Sequence, residues 1–332
     1  MAKTTPFKTP HFWYKDKQSW HSKLLCPLSF AYNVARIIDQ KNKQSKQYKG
    51  NIPVICIGNA TIGGGGKTPT AIAVMQLIKN NKLYNNPCFL TRGYGAELDG
   101  PHIVDSKIHN FQQVGDEALL LAKHAPTIIS KNRAAGAKWA EKNGYDIIVM
   151  DDGMQNPTLY KDIIIQVLPE SLPFGNKKLF PAGPLREPLE DAFDKTDIFI
   201  NINSKKILEE LPSDKLLLTA NIETIYDTDK KEKYIAFCGL ARPEKFFNSC
   251  KNIGLNIIKE KTFPDHYPYT HDDLETLLSM ATDCEASLIT TEKDAVKIPN
   301  IKNLDKIEIL PISLKLNDEA KLIKLIQGIK KP

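Results

Sequence analysis

A loop built to hold phosphates lies between residues 61 and 68: Thr61, Ile62, the glycines Gly63, Gly64, Gly65 and Gly66, then Lys67 and Thr68. In front of it, Pro53 to Ile57 is a continuous apolar run ending at Gly58, which predicts a strand buried on both faces. Behind it, Pro69 opens a helical pattern that continues through Ile78. Strand, glycine loop and helix in this order are the setting in which a G-x-x-x-x-G-K-[ST] loop binds a nucleoside triphosphate. Glycine N–H groups wrap the phosphates, Lys67 reaches the β and γ oxygens, Thr68 contacts Mg²⁺, and Pro69 starts the helix. The pattern asks for glycine at the position of Thr61, so the bend into this loop differs. The metal also needs an acid at the end of a neighbouring strand, and Tyr145 to Met150 leads into Asp151, Asp152 and Gly153. Either aspartate fits as the ligand; a glycine-flanked Asp pair also suits a plain turn.

The segment Phe180 to Pro188 is rich in proline and glycine and carries Arg186 and Glu187. A guanidinium there suits a bidentate clamp on a transferred phosphoryl group, or an ordinary surface ion pair. Arg92 and Gln155 follow the same logic. Seven motifs stand in one order: Gly58 and Asn59 with the Thr61–Thr68 loop, Thr91 to Gly95, Val114 to Glu117, Asp151 to Gln155, Gly183 to Glu187, Phe263 to Tyr267, and Thr290 to Asp294. On these motifs most of the chain resembles the tetraacyldisaccharide 4'-kinase family, the kinases of lipid A assembly. Met154 stands where the family more usually has an aromatic residue.

That resemblance implies transfer of the γ-phosphoryl group of ATP, with Mg²⁺, to the 4'-hydroxyl of an acylated, 1-phosphorylated glucosamine disaccharide. It implies a catalytic carboxylate at Asp116 with His266 as its partner, and Asn59, Arg92, Gln155 and Glu187 toward the acceptor. A sugar hydroxyl is a poor nucleophile, so a positioned base helps while alignment and charge neutralisation do the rest. From the residues alone, Asp116 follows a glycine and opens a helical run, so an N-cap is the alternative. His266, in a proline-flanked loop, is equally suited to a turn.

These groups need a frame. Apolar runs at Pro53–Ile57, Pro87–Thr91, Thr127–Ser130, Asp146–Met150, Ile163–Leu168 and Asp197–Ile202 alternate with helical patterns such as Asn132 to Lys142. Alternation of this kind predicts an α/β fold: a P-loop NTPase-like, mostly parallel sheet flanked by helices, with the loops gathered at the strand C-termini. A β-like linker over 217–233 then leads to a smaller α/β domain over 234–332, following a kinase domain over 51–216. His266 falls in the smaller unit, so the active site is expected in a cleft that closure completes.

Residues 1–50 form the remaining segment. They hold ten Lys/Arg against Asp16 and Asp39, a charge of +8, ahead of a body whose 35 basic and 37 acidic groups leave −2. Trp20, Leu24, Leu28, Ala31, Ala35 and Ile38 recur at helical spacing, with Pro27 dividing the run. Phe12, Trp13, Tyr14 and the lysines Lys15, Lys17 and Lys23 stand beside it. An amphipathic helix of this composition suits a lipid interface, with its alternative a helix packed on the core. The expected location is the cytoplasmic face of the inner membrane, peripheral. Nucleic acid fits less well, because the basic residues flank a greasy stripe. No signal peptide, spanning helix or obligate protein partner is evident, and six scattered cysteines suit a reduced compartment. The rival functions are a P-loop GTPase or metallochaperone and a nucleotide-switched membrane adaptor. The guanine-reading Asn-Lys-x-Asp is missing: Asn176, Lys177 and Lys178 are followed by Leu179.

Overall fold

The computed structural model describes residues 10–14, 19–63, 65–170, 172–204, 208–224, 226, 232–299 and 306–329. Gly64, Lys15, Lys17 and much of the expected linker, 227–231, lie outside the described residues. The strands are β1 (Val54–Gly58), β2 (Pro87–Thr91), β3 (His102–Ile103), β4 (Thr127–Ile129), β5 (Ile147–Asp151), β6 (Ile163–Leu168), β7 (Ile198–Ile202), β8 (Leu216–Thr224), β9 (Lys233–Cys238), β10 (Asn256–Thr262), β11 (Ser287–Thr291), β12 (Ile307–Leu310) and β13 (Ile312–Leu316). The helices are α1 (Trp20–Leu24), α2 (Cys26–Gln44), α3 (Lys67–Asn80), α4 (Phe111–Val114), α5 (Asp116–Ala122), α6 (Arg133–Lys142), α7 (Leu189–Asp194), α8 (Pro243–Asn252), α9 (His271–Asp283), α10 (Glu292–Ala295) and α11 (Glu319–Gln327).

Continuous Ile/Val runs make strands buried on both faces, and these strands stack in parallel. The larger sheet has the order β13-β8-β7-β6-β1-β5-β2-β4-β3, antiparallel only where β13 and β3 close its edges. β1 runs between β5 and β6, with Ile57 opposite Asp151. The phosphate loop and the Asp151 carboxylate therefore leave one edge of the sheet side by side. Ile55 and Ile57 face a core shared with Ala71, Val74, Met75 and Ile78 of α3, while Val54 and Cys56 face the opposite layer. Cutting the fully buried Ile78 to alanine costs about 2–5 kcal/mol by the usual cavity penalty. The second sheet, β10-β9-β11-β12, is all parallel.

Sheet membership differs from the expected division in two places. Leu216–Thr224 is one long strand of the larger sheet, where a linker was expected. Ile312–Leu316 then returns to pair antiparallel with β8, and Leu314, Leu316, Leu322 and Ile326 fill the core beneath α3. The 234–332 segment is thus split between both sheets. β13 has the inside-outside alternation of a strand with one buried face, and such a strand completes an open edge of the larger core.

The N-terminal helices break at Pro27, which takes the first turn of α2. Their orientation is inverted relative to a core helix. Polar residues face the body: the Ser22 hydroxyl donates to Ala182, Ser29 to Leu179 and Tyr32 to Arg186, each at 2.8 Å. Trp20 and Phe30 are 67% and 73% exposed, and Leu24, Leu28, Val34, Ile37 and Ile38 are exposed with them. Trp13, expected beside this outer stripe, is instead fully buried, its indole N–H donating to Pro181 at 3.0 Å. Among the described residues no helix is long and apolar enough to cross a membrane.

Candidate active site

The phosphate loop is shaped from within. The buried Asn59 side chain accepts the Thr61 N–H at 3.0 Å and the Thr61 hydroxyl at 3.1 Å. From outside, the loop is stitched to the 180–188 segment, with Ile62 N–H donating to Pro184 and Arg186 N–H to Ala60, both at 2.8 Å. Gly66 enters α3 at φ +85°, and a Cβ there would lie 2.6 Å from Ile202, so the position requires glycine. Lys67 opens α3 with Nζ 3.3 Å from the Gly63 carbonyl and 3.5 Å from Asp152. A helix start behind a glycine turn, with a lysine leaning over it, is an anion seat.

Two neighbouring acids are tuned in opposite directions. The Thr68 hydroxyl donates to Oδ2 of Asp151 at 2.9 Å, while Oδ1 of Asp151 is buried and makes no hydrogen bond among the described residues. Burial, with the charges of Glu117 and Asp152, pushes this carboxyl up to about 7. Asp152, at φ +51°, is also penalised by burial. Lys67 and Arg186 more than offset that, and hold it at about 2. Arg186 clamps it with both terminal nitrogens, at 2.8 and 3.2 Å. A buried carboxylate with an orphaned oxygen, beside a threonine hydroxyl and a phosphate seat, fits a Mg²⁺ ligand.

The second cluster joins the two sheets. Asp116 is the first residue of α5, and the N-cap is Gly115 at φ +90°, so the carboxylate is not a cap. Its Oδ2 lies 2.8 Å from Nδ1 of His266, and its Oδ1 accepts the Glu117 N–H at 2.9 Å. Burial opposes its ionisation, but the His266 hydrogen bond and the Lys293 charge hold it at about 2. A carboxylate only accepts, so Nδ1 carries a proton. His266 sits in a turn after β10 at φ +56°, beneath the Tyr94 ring at 5.4 Å. Lys293 of α10 stands 3.4 Å from His266 Nε2 and 3.4 Å from Glu117. Glu117 in turn acts on Asp151, so one charged network runs from the phosphate loop to His266.

Residues 21–330 match the model of the family described as tetraacyldisaccharide-1-P 4'-kinase. The chain belongs to that family. The tetraacyldisaccharide 4'-kinase of Paramagnetospirillum magneticum is 39% identical over 327 residues, covering 97% of this chain and 98% of its own. That of Rhodospirillum rubrum is 39% identical over 300 residues, covering 88% and 89%. A crystal structure of LpxK from Aquifex aeolicus in complex with ATP superposes with a TM-score of 0.77 at 27% identity, covering 93% of this chain and 99% of that one.

Within this tetraacyldisaccharide 4'-kinase family member the expected site residues divide into four groups. Thr61, Gly63, Gly65, Gly66, Lys67, Thr68, Pro69, Asp151, Asp152 and Arg186 converge on the phosphate seat, and Asp116 meets His266. Asn59, Gln155 and Glu187, expected toward the acceptor, lie behind the site instead. Gln155 donates to Asn59 at 3.0 Å and to Glu187 at 2.8 Å, and accepts from Arg186 at 3.3 Å. Glu187 is fully buried against Gln155, Lys195 and Arg36 of α2. These side chains are committed to one another and hold Arg186 in place. Arg92 is exposed at the end of β2, close to Arg133.

Three residues escaped the sequence-based expectations: Arg133, Glu117 and Lys293. Arg133 is buried beside Asp151 and Asp152, donates to Ser130 at 2.6 Å and keeps its Nε without a hydrogen bond among the described residues. Burial and the Arg92 charge bring it down to about 10. Its position just past β4, on the loop side of the sheet, was the available signal.

Proposed function

We propose that the chain transfers the γ-phosphoryl group of ATP to the 4'-hydroxyl of an acylated glucosamine disaccharide 1-phosphate, at the membrane surface where α1 and α2 rest. The Asp116–His266 pair, tied through Glu117 to the metal side of a phosphate loop, carries this reading. A GTPase or a nucleotide-switched adaptor has no use for an imidazole base beside the phosphate seat.

Lys67 and the N-terminus of α3 bind the β and γ phosphates, and Arg186, steadied by Asp152, stands next to them. Asp151 and Thr68 would hold Mg²⁺, which supplies charge neutralisation on the phosphates. His266 takes the hydroxyl proton at Nε2. Asp116 is 4% exposed with both oxygens engaged and its carboxyl held at about 2, whereas the His266 side chain is 31% exposed. The roles expected of this pair are therefore exchanged: histidine is the base, and the aspartate orients it and stabilises the imidazolium.

The outward stripe of α1 and α2, with Trp20 and Phe30, lies among acyl chains, while Lys41 of the last turn meets anionic headgroups. This arrangement suits the cytoplasmic face of the inner membrane, where ATP and the lipid acceptor meet. The test is incubation of the purified protein with γ-labelled ATP, Mg²⁺ and acylated disaccharide 1-phosphate in mixed micelles. Label is expected in the lipid; label found in inorganic phosphate alone would contradict the reading.

A further inference from the structure

We infer that Lys293 is a positioning residue that keeps Nε2 of His266 unprotonated, the form able to accept the hydroxyl proton. The inference rests on the proposed kinase reading for its consequence, but not for its geometry. An ammonium group can only donate, so a nitrogen 3.4 Å from Lys293 Nζ presents a lone pair. At the other end of the ring, Asp116 can only accept. The two neighbours together admit one neutral form, with hydrogen on Nδ1 and the lone pair on Nε2.

The lysine is held for this task. Asp116 and Glu117 are adjacent at the start of α5, and His266 and Lys293 face them from the second sheet, making a closed four-membered set. The turn that carries Lys293 is anchored by the fully buried Asp294. Asp294 accepts from Gly239 N–H at 3.1 Å, from the Tyr269 hydroxyl at 3.1 Å and from the Thr291 hydroxyl at 2.7 Å. Burial works against the Lys293 charge, but Glu117, Asp116 and Asp265 outweigh it and raise its pKa. Lys293 therefore stays an ammonium wherever the enzyme works.

The charged groups facing His266 are Asp116 of α5, Asp265 of its own turn at 3.9 Å, and Lys293 of α10. The two acids bring negative charge to the ring, and the lysine brings positive charge to its Nε2 side. In the reaction the acceptor O–H bond breaks as Nε2–H forms, and the oxygen attacks the γ phosphorus. The bond from that phosphorus to the β,γ-bridging oxygen breaks, and ADP leaves with the electron pair. Lys293 holds Nε2 unprotonated before this step and yields that lone pair to the acceptor hydroxyl when it arrives.

Two measurements on the full chain test this, comparing wild type with Lys293→Met and Lys293→Arg. The first is imidazole ¹⁵N spectroscopy, with the His266 signals assigned by their loss in His266→Ala. A ring protonated at Nδ1 alone is expected in wild type and Lys293→Arg, and a fraction protonated at both nitrogens in Lys293→Met. The second is the pH dependence of kcat/KM for labelled transfer. Removal of the ammonium 3.4 Å from Nε2 should displace the acid limb in Lys293→Met while the alkaline plateau is largely kept. Lys293→Arg should restore the limb. An unchanged Nε2 signal in Lys293→Met, with an equal loss at every pH, would overturn the proposal. If wild type moves no label to lipid, the kinase reading fails and the ¹⁵N measurement alone decides the role of Lys293.

Discussion

The phosphate side and the proton side of the site are built on different principles. Lys67, Thr68, Asp151 and Asp152 leave adjacent strands of one sheet, whose register sets them before any side chain is considered. Behind them Arg186, Gln155 and Glu187 form a buried polar chain that reaches Arg36 on α2. Asp116 and His266 are 150 residues apart and meet across two sheets, held by their own hydrogen bond and the Glu117–Lys293 pair. The grip on nucleotide is therefore as rigid as a sheet. The Asp116–His266 contact is only as rigid as the ion pairs that join two sheets.

If the two sides are separable, His266→Ala should lower kcat by about a thousandfold while ATP affinity stays within about twofold. Single-turnover transfer and an ATP titration check this; a parallel fall in ATP binding would show the two sides to be one. Breaking the phosphate side from behind should cost stability instead. Glu187→Ala leaves Arg36 and Lys195 without their buried partner, and urea unfolding should show a loss of about 3 kcal/mol.

Acid separates the sides further. The Asp116 carboxyl is held at about 2 in the folded chain against an ordinary value of 3.8. Its stabilisation is fully present above pH 3.8 and is lost as pH falls through about 2. The stability gap between wild type and Asp116→Asn should therefore narrow by about 2 kcal/mol between pH 5 and pH 2. The smallest effect belongs to the membrane face: Phe30→Ala should weaken partitioning onto anionic vesicles by about tenfold, with unfolding free energy unchanged within about 0.5 kcal/mol.

The phosphate side was largely legible because its signals are local. A strand, four glycines, Lys-Thr and a helix are contiguous, and the apolar run before Asp151 places the acid at a strand end by period alone. The break of the N-terminal helix at Pro27 was legible for the same reason. What the sequence concealed depends on partners far along the chain. The return of β13 to the larger sheet, the burial of Trp13, and the commitment of Asn59, Gln155 and Glu187 to one another are of this kind. The Asp116–His266 pair was reached through motif resemblance, and the burial of its carboxylate came only from the structure. Lys293, in a short exposed-looking run of charges, carried no local mark of its contact with an imidazole.

The central claim is that His266, brought from the second sheet, stands beside the terminal phosphate of nucleotide seated on the Lys67 loop. Paramagnetic Mn²⁺ in place of Mg²⁺, loaded with a non-hydrolysable ATP analogue, tests it through the imidazole signals. The account predicts that the His266 signals broaden away while those of His102, on the edge strand β3, stay sharp. His266 signals that remain as sharp as those of His102 would contradict it.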